Sequence, residues 1–126
     1  MILVDTSVWI DHLRYGDEFF QALLRENICI HPMVIGELAC GNLHNRNQLI
    51  KLWNGLPSVV VASHEEVMIF LSRNNLAGKG IGYIDAHLLA SAIIETDTLL
   101  WTVDKRLAEV ADSFNLLYDL KYHYGT

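Results

Sequence analysis

The sequence lacks the features of a membrane-embedded, secreted or disulfide-rich protein. No apolar stretch approaches the roughly 20 uncharged residues that a membrane helix needs. The N-terminus, Met-Ile-Leu-Val-Asp, has no basic segment before an apolar one. We therefore expect no membrane association and a cytoplasmic location. Only two cysteines are present, Cys29 and Cys40, both in apolar segments and without CxxC spacing, so both are expected to be buried, reduced thiols.

Basic residues are also scarce. Nine Lys and Arg residues against fifteen Asp and Glu residues give a formal net charge of −6. This sign argues against a protein that coats nucleic acid by bulk attraction. It still permits an enzyme that holds nucleic acid through a metal ion and a few local basic contacts. The six histidines are scattered, and no two have the spacing of a zinc site.

The sequence does contain an alternation of β-rich runs and helical patterns. Its 126 residues, 52% of them hydrophobic, predict a single domain spanning 1–126. Strands are predicted at 2–5, 28–30, 58–62, 98–103 and 116–118. Helices are predicted at about 6–15, 17–26, 32–43, 48–56, 63–76, 83–96 and 105–114. We therefore expect a three-layer α/β/α sandwich with a mostly parallel central sheet of about five strands.

Two acidic residues lie at the ends of predicted strands. Asp5 ends the first strand, and Asp104 comes directly after the fourth. Because open parallel sheets bind ligands at the carboxyl ends of their strands, adjacent strands would bring both carboxylates to one edge. The alternative is that each aspartate caps the helix that follows it, a common role for Asp that is compatible with metal binding.

Two further acids lie in predicted helices among apolar residues. Glu37 is the only acid between residues 28 and 43, and helical spacing gives it the same face as Val34 and Cys40. A carboxylate in such surroundings costs several kcal/mol unless it is paired or binds a metal. The alternative is an exposed glutamate on a surface helix. Asp85 begins an apolar stripe in the first turn of its helix, where it either joins a site or only complements the helix dipole.

Taken together, the four acids predict a binding site for a divalent cation. Carboxylates that converge at one sheet edge repel each other, and a divalent cation relieves that repulsion. Ligands that are all oxygen favour Mg²⁺ or Mn²⁺ over zinc. Such an ion activates water and stabilises the leaving oxyanion in phosphodiester hydrolysis. The sequence therefore predicts a divalent-metal site that could act on a phosphodiester.

Four short motifs resemble those of the PIN-domain nucleases. They are Asp-Thr-Ser at 5–7 after an apolar strand, the isolated Glu37, Asp85-Ala86 at a helix start and Thr102-Val103-Asp104. The length of the chain and the order of the motifs are most similar to the VapC-type toxins of toxin–antitoxin pairs. This resemblance covers essentially the whole chain. It implies a PIN-like fold and a Mg²⁺- or Mn²⁺-dependent endoribonuclease, usually a homodimer, that a VapB-like antitoxin neutralises.

The resemblance also implies roles for individual residues. The catalytic acids would be Asp5, Glu37, Asp85 and Asp104, and the three aspartates would bind the metal, Asp85 directly or through water. The supporting hydroxyls would be Ser7, Thr6 and Thr102, with Ser7 favoured over Thr6. Many relatives carry another acid or an amide two residues after the last aspartate. This chain has Lys105-Arg106 there, which favours one well-occupied metal site.

Other residues are assigned more weakly from the sequence. RNA contacts are predicted at Arg73, Lys79, Lys105 and Arg106, the alternative being solvated surface charge. A partner or dimer surface is predicted from apolar residues of the early helices, namely Trp9, Ile10, Phe19 and Val34. The three tryptophans, Trp9, Trp53 and Trp101, are otherwise expected in the core or at an interface.

Three other functions are compatible with parts of this pattern. The nearest is a PIN-domain nuclease of RNA maturation that has no antitoxin. The second is a receiver-like signalling module, which would need a phosphoacceptor aspartate after the third strand, where this chain has Val61-Ala62-Ser63. The third is an inactive PIN-like binding module, which ranks below the enzyme because all four acids are present.

Overall fold

The computed structural model describes residues 1–16, 18–25 and 27–119, without the side chains of residues 19, 20 and 22. Its strands are β1 (Ile2–Val4), β2 (Ile28–Cys29) and β3 (Leu99–Trp101). Its helices are α1 (Thr6–Tyr15), α2 (Glu18–Leu23), α3 (Pro32–Ala39), α4 (Arg46–Asn54), α5 (His64–Arg73), α6 (Tyr83–Ile94) and α7 (Lys105–Ser113). Parallel strands connected by helices confirm the predicted α/β class.

The sheet has β1 at its centre, with β2 on one side and β3 on the other. Both pairs are parallel, and Ile2 is in register with Ile28 in β2 and with Leu99 in β3. The carboxyl ends of the three strands therefore lie at one edge of the sheet. The segments that follow β1 and β3 begin at this edge, as the placement of the strand-end acids requires.

The predicted count of about five strands was wrong for the residues described. The segments 58–62 and 116–118 each join the sheet through a single parallel bridge, Ser58 with Ile30 and Leu117 with Leu100. The first of these segments leaves the sheet almost at once, because the backbone N–H of Val60 donates to the Glu95 side chain (2.8 Å) rather than to a neighbouring strand. The hydrophobic pattern of the segment could not show that a side chain, and not a strand, accepts this hydrogen bond.

The core lies between the sheet and the helices, and the tryptophans belong to it. Trp9 and Trp53 are fully buried and meet edge to face, with ring centroids 6.0 Å apart. Trp101, in β3, is 7% exposed. The prediction that these side chains lie in the core is confirmed. Helix α5 begins as predicted, with Ser63 and Glu66 forming a capping box.

The predicted partner surface on the early helices was wrong for two of its residues. Trp9 and Val34 are buried with the strand residues in the main core cluster and are not available to a partner. Ile10 is exposed, and the side chain of Phe19 lies outside the described part of the chain. Burial was also mispredicted for Cys40, which is exposed after α3. Cys29 is buried as expected, and this burial raises the pKa of its thiol to about 11.

Within the described residues, no helix combines the length and the apolar character needed to cross a membrane.

A buried histidine begins α3. His31 is the N-cap residue, and its Nδ1 accepts a hydrogen bond from the backbone N–H of Met33 at 3.0 Å. The side chain is fully buried, with its ring centroid 5.7 Å from that of His87 in α6. Burial, and then the nearby His87, lower the pKa of His31 to about 4. His31 is therefore neutral in the folded protein at physiological pH.

This burial predicts a pH-dependent loss of stability. Between pH values of about 6.5 and 4, His31 is protonated in the unfolded chain and neutral in the folded protein. The free energy of unfolding should therefore fall as the pH drops below about 6.5, by at most about 3 kcal/mol from this residue. The matched variant is His31→Asn, whose side-chain oxygen can replace Nδ1 as the capping acceptor and which does not titrate. Urea unfolding across the window should give a flatter pH curve for the variant; parallel curves would contradict the assignment.

Candidate active site

Asp5 lies between β1 and the end of β3, where two hydroxyl groups hold its carboxylate. Its Oδ2 accepts hydrogen bonds from Ser7 Oγ and Thr102 Oγ1, both at 2.7 Å. The Ser7 oxygen accepts in turn from the backbone N–H of Val103 at 3.2 Å. The Thr102 oxygen accepts from the backbone N–H of Asp104 at 3.0 Å. Both hydroxyl protons are thereby directed to Asp5, which is only 6% exposed.

Glu37 lies on α3 at the rim of the site. Thr6 Oγ1 donates to its Oε1 at 2.6 Å, which joins α3 to the start of α1. The expectation that Glu37 shares a buried apolar face with Val34 and Cys40 was wrong, because only Val34 is buried. Helix α3 buries Val34 and Leu38, one turn apart, and this leaves Glu37 on its exposed side.

Asp104 and Asp85 lie at the starts of helices. Asp104 is the N-cap of α7, and its Oδ1 accepts from the backbone N–H groups of Arg106 (2.9 Å) and Leu107 (3.0 Å). Asp85 is in the first turn of α6, and its Oδ2 accepts from the backbone N–H of Gly82 at 3.0 Å. Both carboxylates therefore accept hydrogen bonds from backbone N–H groups at the starts of helices, which is the alternative role considered for them in the sequence analysis. The same hydrogen bonds fix the orientation of each side chain.

The four carboxylates lie close enough to influence one another. Burial raises the pKa of the Asp85 carboxyl, and the hydrogen bond from Gly82 works against this. The negative charges of Asp5, Asp104 and Glu37 raise it further. The other three acids predicted from the sequence thus lie within electrostatic reach of Asp85.

Each of these carboxylates has one oxygen held by the protein and another that no described donor reaches. The held oxygens are Asp5 Oδ2, Glu37 Oε1, Asp85 Oδ2 and Asp104 Oδ1. Anionic oxygen donors of this kind suit a hard divalent cation such as Mg²⁺. Among the residues described, no three acidic, histidine or cysteine side chains form a finished ligand set.

Two of the four basic residues predicted to contact RNA lie at the start of α7, and a third, Lys79, lies in the loop before α6, where it lines a groove with Glu109 and Ser113 of α7. Lys105 and Arg106 are exposed in the first turn of α7, directly after Asp104. The Arg106 side chain packs onto Gly80, where an added Cβ would collide with it. Gly80 also has a φ of +82°, which L side chains rarely adopt. Lys79, just before Gly80, is exposed.

The fourth basic residue, Arg73, lies elsewhere. It is at the end of α5 and lines a groove together with Ile93 and Ile94, at the end of α6 opposite to Asp85. Its position connects it with this groove rather than with the acids.

Sequence analysis did not find a polar network beside the acids. The Tyr83 hydroxyl lies 2.9 Å from Nε2 of His87 and 2.7 Å from Nδ1 of His64. Burial, and then the proximity of His64, lower the pKa of His87. Through His87 and its contact with His31, the network joins α5 and α3 to the first turn of α6, which carries Asp85. Its one sequence signal was the spacing of four between Tyr83 and His87, which places both on one helix face.

The fold and the site define a class of protein: a parallel α/β domain with four acidic side chains at the carboxyl edge of its sheet. The family model of the PIN domain matches residues 2–113, and the chain belongs to this family. Ribonuclease VapC32 from two strains of Mycobacterium tuberculosis, CDC 1551/Oshkosh and H37Rv, is 44% identical over 108 residues. That match covers 85% of this chain and 87% of the relative. The predicted resemblance to VapC-type PIN-domain nucleases is confirmed.

Solved structures share the fold. The crystal structure of FitAcB from Neisseria gonorrhoeae superposes with a TM-score of 0.64 at 23% sequence identity, over 89% of this chain and 94% of that one. The structure of FitAB bound to the IR36 DNA fragment gives a TM-score of 0.60 at 21% identity, over 89% and 91% of the two chains. At these sequence identities, the structural similarity shows a shared fold only.

The negative charges of the other three acids act unfavourably on Asp85. Removing the charge of Asp85 should therefore stabilise the metal-free protein. Asp85→Asn keeps an oxygen to accept from Gly82 but removes a carboxylate whose pKa is raised. In the presence of a chelator the variant should gain roughly 0.5–2 kcal/mol of unfolding free energy, the usual range for relief of unfavourable charge. Thermal unfolding with EDTA measures this gain. A variant less stable than the wild type would show that the four charges are not in repulsive contact.

Proposed function

We propose that this protein is a Mg²⁺-dependent endoribonuclease, with Mn²⁺ able to substitute, that acts as the toxin of a toxin–antitoxin pair. The observation that carries the proposal is the arrangement of the four carboxylates, each anchored through one oxygen with the other left available. The relative named Ribonuclease VapC32 supports RNA as the substrate. The chain would meet that substrate in the cytoplasm, as expected from the sequence.

The three aspartates would hold the metal. Asp5 and Asp104 follow adjacent parallel strands and would be direct ligands, and Asp85 would be a direct or water-mediated ligand. When bound, the divalent ion would supply Lewis-acid stabilisation of the negative charge that develops on the phosphate. Ser7 and Thr102 act on the reaction indirectly, because they fix the orientation of Asp5. Thr6 has the same role for Glu37.

Glu37 is the residue best placed to handle the attacking water. It is exposed at the rim, and the hydrogen bond from Thr6 leaves its Oε2 available to accept a proton. Water would attack the phosphorus in line with the leaving 3′-oxygen. The products would therefore carry a 5′-phosphate and a 3′-hydroxyl, since the ribose 2′-hydroxyl takes no part.

The phosphate backbone would be held by the basic residues that border the acids. Lys105 and Arg106 extend from the first turn of α7, and Gly80 supports the Arg106 side chain. Lys79 belongs to the same loop as Gly80. Local cations of this kind compensate for a net charge of −6, which otherwise repels RNA.

The decisive test is cleavage of RNA by the wild type and by Asp5→Asn. Total RNA is incubated with Mg²⁺, Mn²⁺ or EDTA, and the cut ends are mapped. We expect cleavage only with a divalent ion, and a loss of roughly 100-fold or more in the variant, in line with removal of an essential electrostatic group. Asp11→Asn, a change at an exposed residue of α1, is the matched control and should retain full activity.

Two outcomes would contradict this chemistry. Recovery of 2′,3′-cyclic phosphate ends would mean that the ribose hydroxyl is the nucleophile. Full activity of Asp5→Asn would remove that carboxylate from the mechanism.

The proposed partners are a VapB-like antitoxin and a second copy of this chain. The acids lack a Lys or Arg partner within the described residues, and an arginine or lysine of an antitoxin can supply the missing positive charge and compete with the metal. The resemblance to VapC-type toxins favours this role over a nuclease of RNA maturation. A small neighbouring gene for a DNA-binding protein would separate the two alternatives.

The toxin role predicts a growth phenotype. Induction of the chain alone should arrest growth of a bacterial host, and co-expression of the neighbouring small protein should restore it. Asp85→Asn should be harmless when induced to the same level. Unimpaired growth with the active wild type, at a level that cleaves RNA in the extract, would favour the maturation nuclease instead.

A further inference from the structure

Tyr83 is an aromatic residue near the acids that the proposed chemistry of cleavage does not use. It is the first residue of α6, two positions or about 3 Å along the axis before Asp85. Its side chain is 41% exposed. Single exposed aromatic side chains are normal and do not by themselves indicate a function. Tyr83 differs from such a residue because the protein holds its exposed ring in place.

The Tyr83 hydroxyl is held between two histidines. It lies 2.9 Å from Nε2 of His87, which is 2% exposed, and 2.7 Å from Nδ1 of His64, which is exposed. Because a hydroxyl has one proton, at least one of the two histidines must donate to it. His87 is the better donor, since its Nδ1 is buried without a partner among the described residues. A proton on that Nδ1 would be a buried, unsatisfied donor.

These two contacts give the hydrogen bonds a direction. His87 donates to the Tyr83 oxygen, and the Tyr83 hydroxyl donates to Nδ1 of His64. The other nitrogen of His64, Nε2, then carries the proton of the neutral ring, on a side chain that is exposed to solvent. The exposed end of the network is therefore an oriented aromatic ring beside an N–H donor.

The Tyr83 ring is not covered by a stack with either histidine. The ring centroids of His64 and Tyr83 are 5.5 Å apart, and the two ring planes are inclined by 51°. The ring of His87 meets that of Tyr83 edge to face, with centroids 4.7 Å apart and an angle of 83° between the planes. Neither arrangement is the parallel, offset one in which two rings cover each other. Tyr83 therefore keeps surface for a further planar group.

The charges around the ring indicate which kind of group it would accept. The first turn of α5, beside His64, contains Glu65 and Glu66, whose negative charges repel a phosphate. A nucleobase is planar and uncharged, and proteins that recognise single-stranded RNA stack its unpaired bases on aromatic side chains. A ring that is already oriented loses less conformational entropy when a base binds to it. This surface therefore fits a base better than it fits the RNA backbone.

We propose that Tyr83, supported by His64 and His87, is a stacking subsite for one unpaired base of the RNA substrate. The base would stack on the Tyr83 ring, and Nε2 of His64 would donate to an acceptor on the edge of the base. The identity of the ligand rests on the proposed function. The subsite adds that the RNA is single-stranded beside the acids.

Binding of strands with and without bases tests the subsite. The probes are a fluorescein-labelled oligoadenylate of about ten nucleotides, a usual site size for single strands, and an abasic strand of the same length. Fluorescence anisotropy is measured with Asp5→Asn in Mg²⁺, so that the strands stay intact. In this background Tyr83→Ala should weaken binding of oligoadenylate by roughly 5- to 150-fold, the range for loss of one stacked base. Binding of the abasic strand should not change.

Matched variants separate stacking from folding. Tyr83→Phe keeps the ring and removes its hydrogen bonds, so it should weaken oligoadenylate binding less than Tyr83→Ala does. His64→Ala removes an exposed side chain and should weaken binding of oligoadenylate but not of the abasic strand. Tyr15→Ala removes a ring that is 74% exposed at the end of α1, and it should leave both affinities unchanged. The abasic strand also reports on folding, because a misfolded variant would lose both strands.

Two results would overturn the inference: unchanged binding of oligoadenylate by Tyr83→Ala, or equal losses for both strands in Tyr83→Ala and His64→Ala. Unchanged RNA binding with loss of the protein encoded by the neighbouring small gene would show that Tyr83 docks a protein instead. RNA cleavage by the wild type is measured separately. Cleavage without base-dependent binding at Tyr83 would refute only the subsite, and base-dependent binding without cleavage would refute only the proposed enzyme.

Discussion

The structure depends on holding four negative charges together without a basic residue to neutralise them. In the described part of the chain, no lysine or arginine side chain pairs with Asp5, Glu37, Asp85 or Asp104. The protein uses neutral donors instead, which are hydroxyl groups for Asp5 and Glu37 and backbone N–H groups for Asp85 and Asp104. Neutral donors orient a carboxylate and leave its charge in place. The repulsion that remains at the edge of the sheet is what the cation of the proposed function would relieve.

Two of the four carboxylates take their neutral donors from the starts of helices. Asp104 satisfies two amides of α7, and Asp85 satisfies the amide before α6, so each carboxylate serves the fold and the site at once. The structure shows the helix-terminus role that the sequence left open, and the proposed metal-binding role would use the same two side chains. Asp5 differs, since its side chain caps no helix and its position depends on Ser7 and Thr102. The orientation of Asp5 therefore depends on a residue far away in the sequence, Thr102.

The features that the sequence predicted were those with a local signal. A capping box, an aspartate in a first helical turn and acids after β-rich runs involve residues within a few positions of one another, so pattern was enough to find them. Predictions failed where the outcome depended on packing between distant segments. The partner surface predicted at Trp9 and Val34 and the buried face predicted for Glu37 were wrong, because helical spacing identifies a face without saying what that face contacts. The contact of His31 with His87 joins α3 to α6 and left no local trace.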